Sequence, residues 1–205
     1  MSHGLIEEVP GFASLGIVAF TTTRAAGDFG LTSSNDSSAE VFNRWLSVGA
    51  LAGIGPERIA CAHQVHGGTV LVHRGGWGGF LRHTDADGHF SQVRQTLMAV
   101  TLADCVPVFV AHASGACAVL HSGWKGTVAN ITRAGIQHFI DAGLAASDLM
   151  VHCGPAICGR CYEVGPEVFM RLTGRSVERP NPVDLRAIIA GQAFSAGVRN
   201  VSVSE

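Results

Sequence analysis

Charge is scarce in this chain of 205 residues: only 15% are Asp, Glu, Lys or Arg, and the net charge is −2. A nucleic-acid partner would call for a basic excess, which is missing, and there is no acidic tail. Long apolar runs are also missing. None approaches the ~20 residues of a membrane-spanning helix. Met1-Ser2-His3-Gly4 lacks the basic start and apolar core of a secretory signal. These absences lead us to expect a cytoplasmic protein with neither nucleic acid nor membrane as partner. The glycine-rich stretch Arg74 to Gly79 contains neither G-x-G-x-x-G nor a P-loop pattern, so it is not read as a nucleotide loop. With no internal repeat, low-complexity tract or linker, residues 1–205 read as one domain.

Apolar residues, by contrast, are plentiful at 47%, enough for one large core. The 26 glycines fall at turns, as in a compact α/β body. The six cysteines are scattered, so they read as reduced cytoplasmic thiols and not as a secreted disulfide framework. Ten histidines are many for this length, and several follow apolar runs, which makes a metal worth testing.

Strands are expected at Gly16 to Thr22, Ile59 to Gln64, Thr69 to His73, Leu97 to Leu102, Val106 to Ala111, Ala116 to Leu120, Leu149 to Cys153 and, at an edge, Asn200 to Val203. The runs around Ala103-Asp104-Cys105 are apolar enough to be buried on both faces. Helices are expected at Ala39 to Ala52, capped by Ser37 or Ser38 and ended by Gly53 to Pro56, and at Thr127 to Leu144, Gly165 to Leu172 and Leu185 to Ala196. Trp45 should face the core. Thr84-Asp85-Ala86-Asp87-Gly88 reads as a turn presenting carboxylates.

The organising stretch is Leu120-His121-Ser122-Gly123-Trp124-Lys125-Gly126-Thr127, a strand that turns into a helix whose first N–H groups suit an anion. His121, His66 and Cys105 each follow or precede an apolar strand, beside a Gly or a Pro. Their wide separation means that only the fold can bring them together. Two imidazoles and a thiolate suit zinc with an open fourth position. The same types suit a thiolate–imidazolium pair of Cys105 and His121, activated for nucleophilic attack. Sequence leaves both open. Cys153, Cys158 and Cys161 form C-x4-C-x2-C without a fourth ligand close by, and read as a loop with incidental thiols. His3, His73, His83, His89, His112, His138 and His152 have no assignable partner, so surface or capped roles are expected.

Six motifs in order resemble those of the laccase-like "multicopper polyphenol oxidase" family, now described as zinc-dependent purine nucleoside phosphorylases with adenosine deaminase activity. They are Thr21-Thr22-Thr23-Arg24, Gln64-Val65-His66-Gly67, Ala86-Asp87-Gly88, Thr101 to Val108, His121 to Gly126, and Cys153 to Ile157 with Cys161 to Gly165. The resemblance implies an α/β (α+β) sandwich with mixed sheets and outer helices. It also implies zinc on His66, Cys105 and His121. The reactions would be phosphorolysis of adenosine, inosine, guanosine or methylthioadenosine, and deamination of adenosine. Relatives described as peptidoglycan-editing factors imply an alternative, a cell-wall-precursor hydrolase. Phosphate and a nucleoside would be the small-molecule partners, and the protein a monomer or small homo-oligomer.

On this reading Arg24 and Lys125 hold phosphate, Asp87 shuttles protons or holds a histidine, and Gln64 hydrogen-bonds substrate. Three features depart from the family pattern. Lys125 replaces an Arg, the stretch after Arg24 lacks the usual glycine-rich loop, and relatives continue past the position of Glu205 into a Tyr-Arg-Arg segment. Three competing readings remain: the zinc enzyme, a cysteine hydrolase using Cys105 and His121, and a degenerate metal-binding scaffold. Copper oxidase chemistry is disfavoured because the usual His-x-His pairs are missing.

Overall fold

The computed structural model describes residues 4–31, 35–51, 55 and 57–204. Strand β1 (Ile6–Glu8) pairs antiparallel with β2 (Phe20–Thr22). Helix α1 (Ser38–Leu51) leads to β3 (Arg58–Ala62), β4 (Val70–His73), β5 (Gly79–His83), β6 (Gly88–Ser91) and β7 (Thr96–Met98). Then come β8 (Val106–Ala111), β9 (Cys117–Ser122), α2 (Trp124–Val128), α3 (Ile131–Asp141), β10 (Met150–Cys153) and β11 (Glu163–Val164). The chain closes with α4 (Pro166–Thr173), β12 (Asn181–Pro182), α5 (Leu185–Ser195) and β13 (Asn200–Val203). The result is the expected mixed α/β fold.

The main sheet has six strands in the order β13-β10-β8-β9-β6-β4, and β5-β3-β7 form a separate parallel sheet. Side chains alternate along the central strands, and that alternation builds two layers. Val106, Val108 and Val110 of β8, with Ala118 and Leu120 of β9, face a core completed by Ile131, Ile136 and Phe139 of α3 and Leu185, Ile189 and Ala193 of α5. Phe109, Ala111 and Val119 face the other way, onto Val9 and Phe12. All six residues of β8 are buried, as its unbroken apolar run predicts. A third cluster packs Val41, Trp45 and Val48 of α1 on Ile59 and Cys61 of β3, which places Trp45 in the core.

Several expected elements are corrected. Strand β2 covers only the end of Gly16 to Thr22, because Phe12–Leu15 forms a tight helical turn ended by left-handed Gly16. The run Leu97 to Leu102 contributes only the short, half-buried β7. The helix expected from Thr127 to Leu144 is two helices. Asn130, at φ 56°, breaks it and caps α3 by accepting the Arg133 N–H. Strands β5 and β6 were not expected at all. Ser37 caps α1 in a reciprocal box with Glu40, each side chain taking the other's backbone N–H. Of the stop expected at Gly53 to Pro56, Gly53, Ile54 and Pro56 lie outside the described residues, as does His3.

Candidate metal centre

The strand registers bring the site together. In the β8–β9 pair, Val106 lies opposite Ser122. Cys105, one residue before β8, therefore sits beside Gly123, one residue after β9. In the β6–β9 pair, Gly88 lies opposite Leu120. That puts Asp87 beside His121, whose backbone N–H donates to the Asp87 carbonyl at 2.6 Å. His66 arrives from the turn between β3 and β4.

His66, Cys105 and His121 converge, with their ligand atoms all within 4.8 Å of one another. The two imidazole rings meet edge to face at 4.7 Å. A Cβ on Gly123 would lie 2.7 Å from the Cys105 Sγ and 3.3 Å from His66 Cδ2, so only glycine leaves the thiolate its place.

Asp87 organises the cluster. It was expected in a turn presenting carboxylates, but it is fully buried; the exposed carboxylate of that turn is Asp85. The Asp87 carboxylate accepts the backbone N–H groups of His66 at 2.8 Å, Gly67 at 2.7 Å and Val65 at 3.3 Å, and it lies 2.9 Å from His121 Nδ1. These bonds hold His66 at φ 59°, a left-handed conformation that costs a non-glycine residue roughly 1–2 kcal/mol. Burial opposes the charge on Asp87, but the His121 ring and the three N–H groups outweigh it and hold the carboxyl below its ordinary range. Burial likewise opposes charge on His121, yet hydrogen bonds to Asp87 and Cys105 push its pKa up to about 9. Burial, then the neighbouring His121, pushes His66 down.

The donor set fits a metal. Asp87 occupies His121 Nδ1, which leaves Nε2 for an ion, the carboxylate–histidine–metal arrangement of many sites. Among the described residues no Met lines the surrounding cavity of about 580 Å³, so the axial thioether of a His2Cys copper site is not supplied there by them.

The other expected site residues are placed less uniformly. Gln64 lines the cavity, but its amide is committed to Thr101, donating to the carbonyl at 2.8 Å and accepting the N–H at 2.7 Å. Lys125 is exposed, with Nζ 5.7 Å from the Trp124 ring, and its charge reaches His66. Arg24 faces an adjoining apolar cavity of about 330 Å³ that shares Asp28, Phe29, Trp45, Thr101 and Leu102 with the metal cavity. The sequence reading missed Arg82 and His63, which line the metal cavity itself. No motif marked Arg82; it arrives on the unexpected strand β5.

Cys153 is fully buried on β10, apart from Cys158 and Cys161, whose sulfurs lie 2.8 Å from each other. Among the described residues these three form no metal-binding group. Four histidines expected to lack partners have them, among them His112, which meets the Ser114 hydroxyl at 2.9 Å. His152 lies between Ser202 and Ser204, and His73 Nε2 meets His89 Nδ1 at 2.9 Å in the buried interior.

The profile of the family described as multi-copper polyphenol oxidoreductase laccase matches residues 21–205. A protein of Streptomyces griseus named purine nucleoside phosphorylase is 35% identical over 60% of this chain and 50% of its own length. One of Mycobacterium bovis with the same activity in its name is 33% identical over 94% of this chain and 83% of its own. A prokaryotic protein named adenosine deaminase is 32% identical over 58% of this chain and 50% of its own. The match therefore spans about half the length of the first and last of these. Among solved structures, the Bacillus licheniformis protein YfiH superposes with a TM-score of 0.86 at 21% identity, covering 98% of this chain and 86% of that one. At that identity the likeness concerns the fold. No helix among the described residues is long and apolar enough to cross a membrane.

Proposed function

The chain belongs to the multi-copper polyphenol oxidoreductase laccase family, and we propose that it is a zinc enzyme acting on purine nucleosides, by phosphorolysis and by deamination of adenosine. One observation carries the metal assignment: the buried Asp87 carboxylate grips both the His121 ring and the His66 backbone, fixing two of the three donors. The purine assignment is supported by the names of the relatives, two phosphorylases and a deaminase.

His66, Cys105 and His121 would hold the zinc, which would supply Lewis acidity at this cavity. The chain's own residues orient the reactants. Phe29, Leu31 and Trp45 give the cavity an apolar wall against which a purine can lie, and Asp104, His63 and Arg82 give it a polar mouth. In phosphorolysis a phosphate oxygen bonds C1′ of the ribose as the bond to the base breaks. In deamination a water oxygen bonds C6 as ammonia leaves. Asp87 is a positioning residue in both, since its oxygens are buried and committed. Gln64 acts likewise, holding Thr101 at the cavity wall.

Metal analysis of the purified protein tests the first claim: about one zinc per chain, lost in His66→Ala, is expected. Chromatography of adenosine incubated with phosphate tests the second: adenine or inosine is expected, and neither appearing from the zinc-loaded protein sinks the nucleoside assignment. A second reading rests on a specific geometry. Cys105, His121 and Asp87 line up as thiol, imidazole and carboxylate, the order of a cysteine hydrolase. Rapid alkylation of Cys105 with loss of a hydrolytic activity that needs no metal would favour it.

A further inference from the structure

Outside the metal cavity, the loop Gly154 to Tyr162 holds a second constellation. Cys158 and Cys161 are separated by a Gly and an Arg, and their sulfurs lie 2.8 Å from each other, within an ångström of the about 2.05 Å of a bonded pair. The backbone already closes the turn. The N–H groups of Cys161 and Tyr162 both donate to the Cys158 carbonyl, at 2.9 and 3.1 Å. The loop is fixed on both sides. The Ile157 N–H donates to the Asp104 carbonyl at 3.1 Å, beside the ligand Cys105, and the Val183 N–H donates to the Tyr162 carbonyl at 2.9 Å. Gly159 lies so close to Asp184 that a Cβ there would meet the Asp184 Cβ at 2.5 Å. The backbone that carries the two sulfurs is thus held on both sides.

Access and thiol acidity together sort this pair from Cys61, Cys117 and Cys153. Cys161 is exposed and Cys158 half-buried, whereas Cys61 and Cys153 are buried. Burial pushes the thiols of Cys61 and Cys117 up to about 11 and that of Cys153 up to about 12, which leaves little thiolate at neutral pH. The Cys158 thiol is shifted the opposite way, first by its contact with Cys161, then by the Arg160 N–H. Cys105 belongs to the metal cluster.

We propose that Cys158 and Cys161 are a reversible disulfide site that exchanges with low-molecular-weight thiol disulfides. The Cys158 thiolate attacks one sulfur of the small disulfide, forming a mixed disulfide and releasing one small thiolate. Cys161 then loses its proton and attacks the Cys158 sulfur, forming the intrachain bond and releasing the second small thiolate. The protein loses two protons and two electrons, and the small disulfide becomes two thiols. Ile157, just before the pair, bonds the Asp104 carbonyl, next in sequence to Cys105, so the loop neighbours the metal cluster without using its sulfur.

The test is equilibration of the full chain in glutathione buffers of graded oxidised-to-reduced ratio, with alkylation under native conditions and peptide mapping. The expected result is a Cys158–Cys161 disulfide that appears as the ratio rises and reverses with excess reduced glutathione, while Cys61, Cys117 and Cys153 are alkylated only after denaturation. Cys161→Ser should instead accumulate one glutathione on Cys158, and Cys105→Ala should leave the 158–161 disulfide unchanged. Both thiols staying free in pure oxidised glutathione would overturn the proposal. So would stable glutathionylation of the unsubstituted chain at Cys158, or a disulfide that recruits Cys105. A thermal melt of each variant checks that folding is intact.

Discussion

His121 Nδ1 lies 2.9 Å from Asp87 Oδ1, and both side chains are buried. The contact fixes which ring nitrogen of His121 carries its proton and which faces the cavity. Asp87→Asn keeps the shape but loses the charge, and its NH2 group would oppose N–H donors from the Val65–Gly67 turn. Metal affinity should fall about 10–100-fold, and the protein should lose about 3 kcal/mol of stability, as when one partner of a buried ionic pair is removed. Chelator competition reads the first and denaturant unfolding the second; unchanged affinity would remove Asp87 from the site.

Gly123 offers a sharper test of the three-donor cluster. Gly123→Ala would place a methyl 2.7 Å from the Cys105 sulfur, which must then move. The expected outcome is loss of metal, read by elemental analysis, with little change in the far-ultraviolet circular dichroism. Gly191→Ala is the control. It lies within α5, its Cβ meets nothing within 4 Å, and it should raise stability by roughly 0.5–1 kcal/mol with metal content unchanged.

The buried histidine pair predicts how stability responds to acid. Burial, then the nearby His73 and His83, pushes the pKa of His89 down to about 3. The other facing charge is Asp87, which acts in the opposite direction. An unfolded histidine binds its proton near pH 6.5, so below that the unfolded state holds more protons than the folded one. Stability from His89 is thus complete above about pH 6.5 and is lost as pH falls toward 3, by up to about 1.4 kcal/mol per pH unit. Among the described residues His89 Nε2 is buried without a hydrogen-bond partner. His89→Phe should flatten the acid limb of a stability–pH curve by about one proton; an unchanged slope would place the acid sensitivity elsewhere.

These cases show where the sequence was legible. Strand β8 and its partner β9 were readable because two-sided burial writes an unbroken apolar run, and α4 and α5 because their stripes have helical period. Strand β6 was not, because Gly88-His89-Phe90-Ser91 follows a turn-like stretch and carries polar residues whose partners come from β4: His89 pairs with His73, and the Ser91 hydroxyl with the His73 carbonyl. The three candidate donors could be picked out by residue type at strand ends. That Asp87 is buried could not, since a register between β6 and β9 decides it. Nor could spacing alone show that Asn130 would divide one helical pattern into two.

If phosphate is a substrate, a third cation stands beside the two expected to hold it. Arg24 and Lys125 were the expected anchors; Arg24 lines the adjoining apolar cavity. Arg82 shares one cavity with His66, Cys105 and His121. It stands on β5 opposite Cys61 of β3, so the parallel pairing fixes its backbone beside the site. A guanidinium there can hold two phosphate oxygens at once, which the ammonium of Lys125, exposed like Arg82, cannot. If phosphate is a substrate, Arg82→Gln should raise its KM about tenfold with kcat changed less, the loss of roughly one charge-assisted hydrogen bond. Arg24→Gln should leave the KM for phosphate within about twofold, a shift of under 0.5 kcal/mol. The reverse ranking in steady-state assays at fixed nucleoside would return the phosphate to Arg24 and make the adjoining cavity part of one continuous active site.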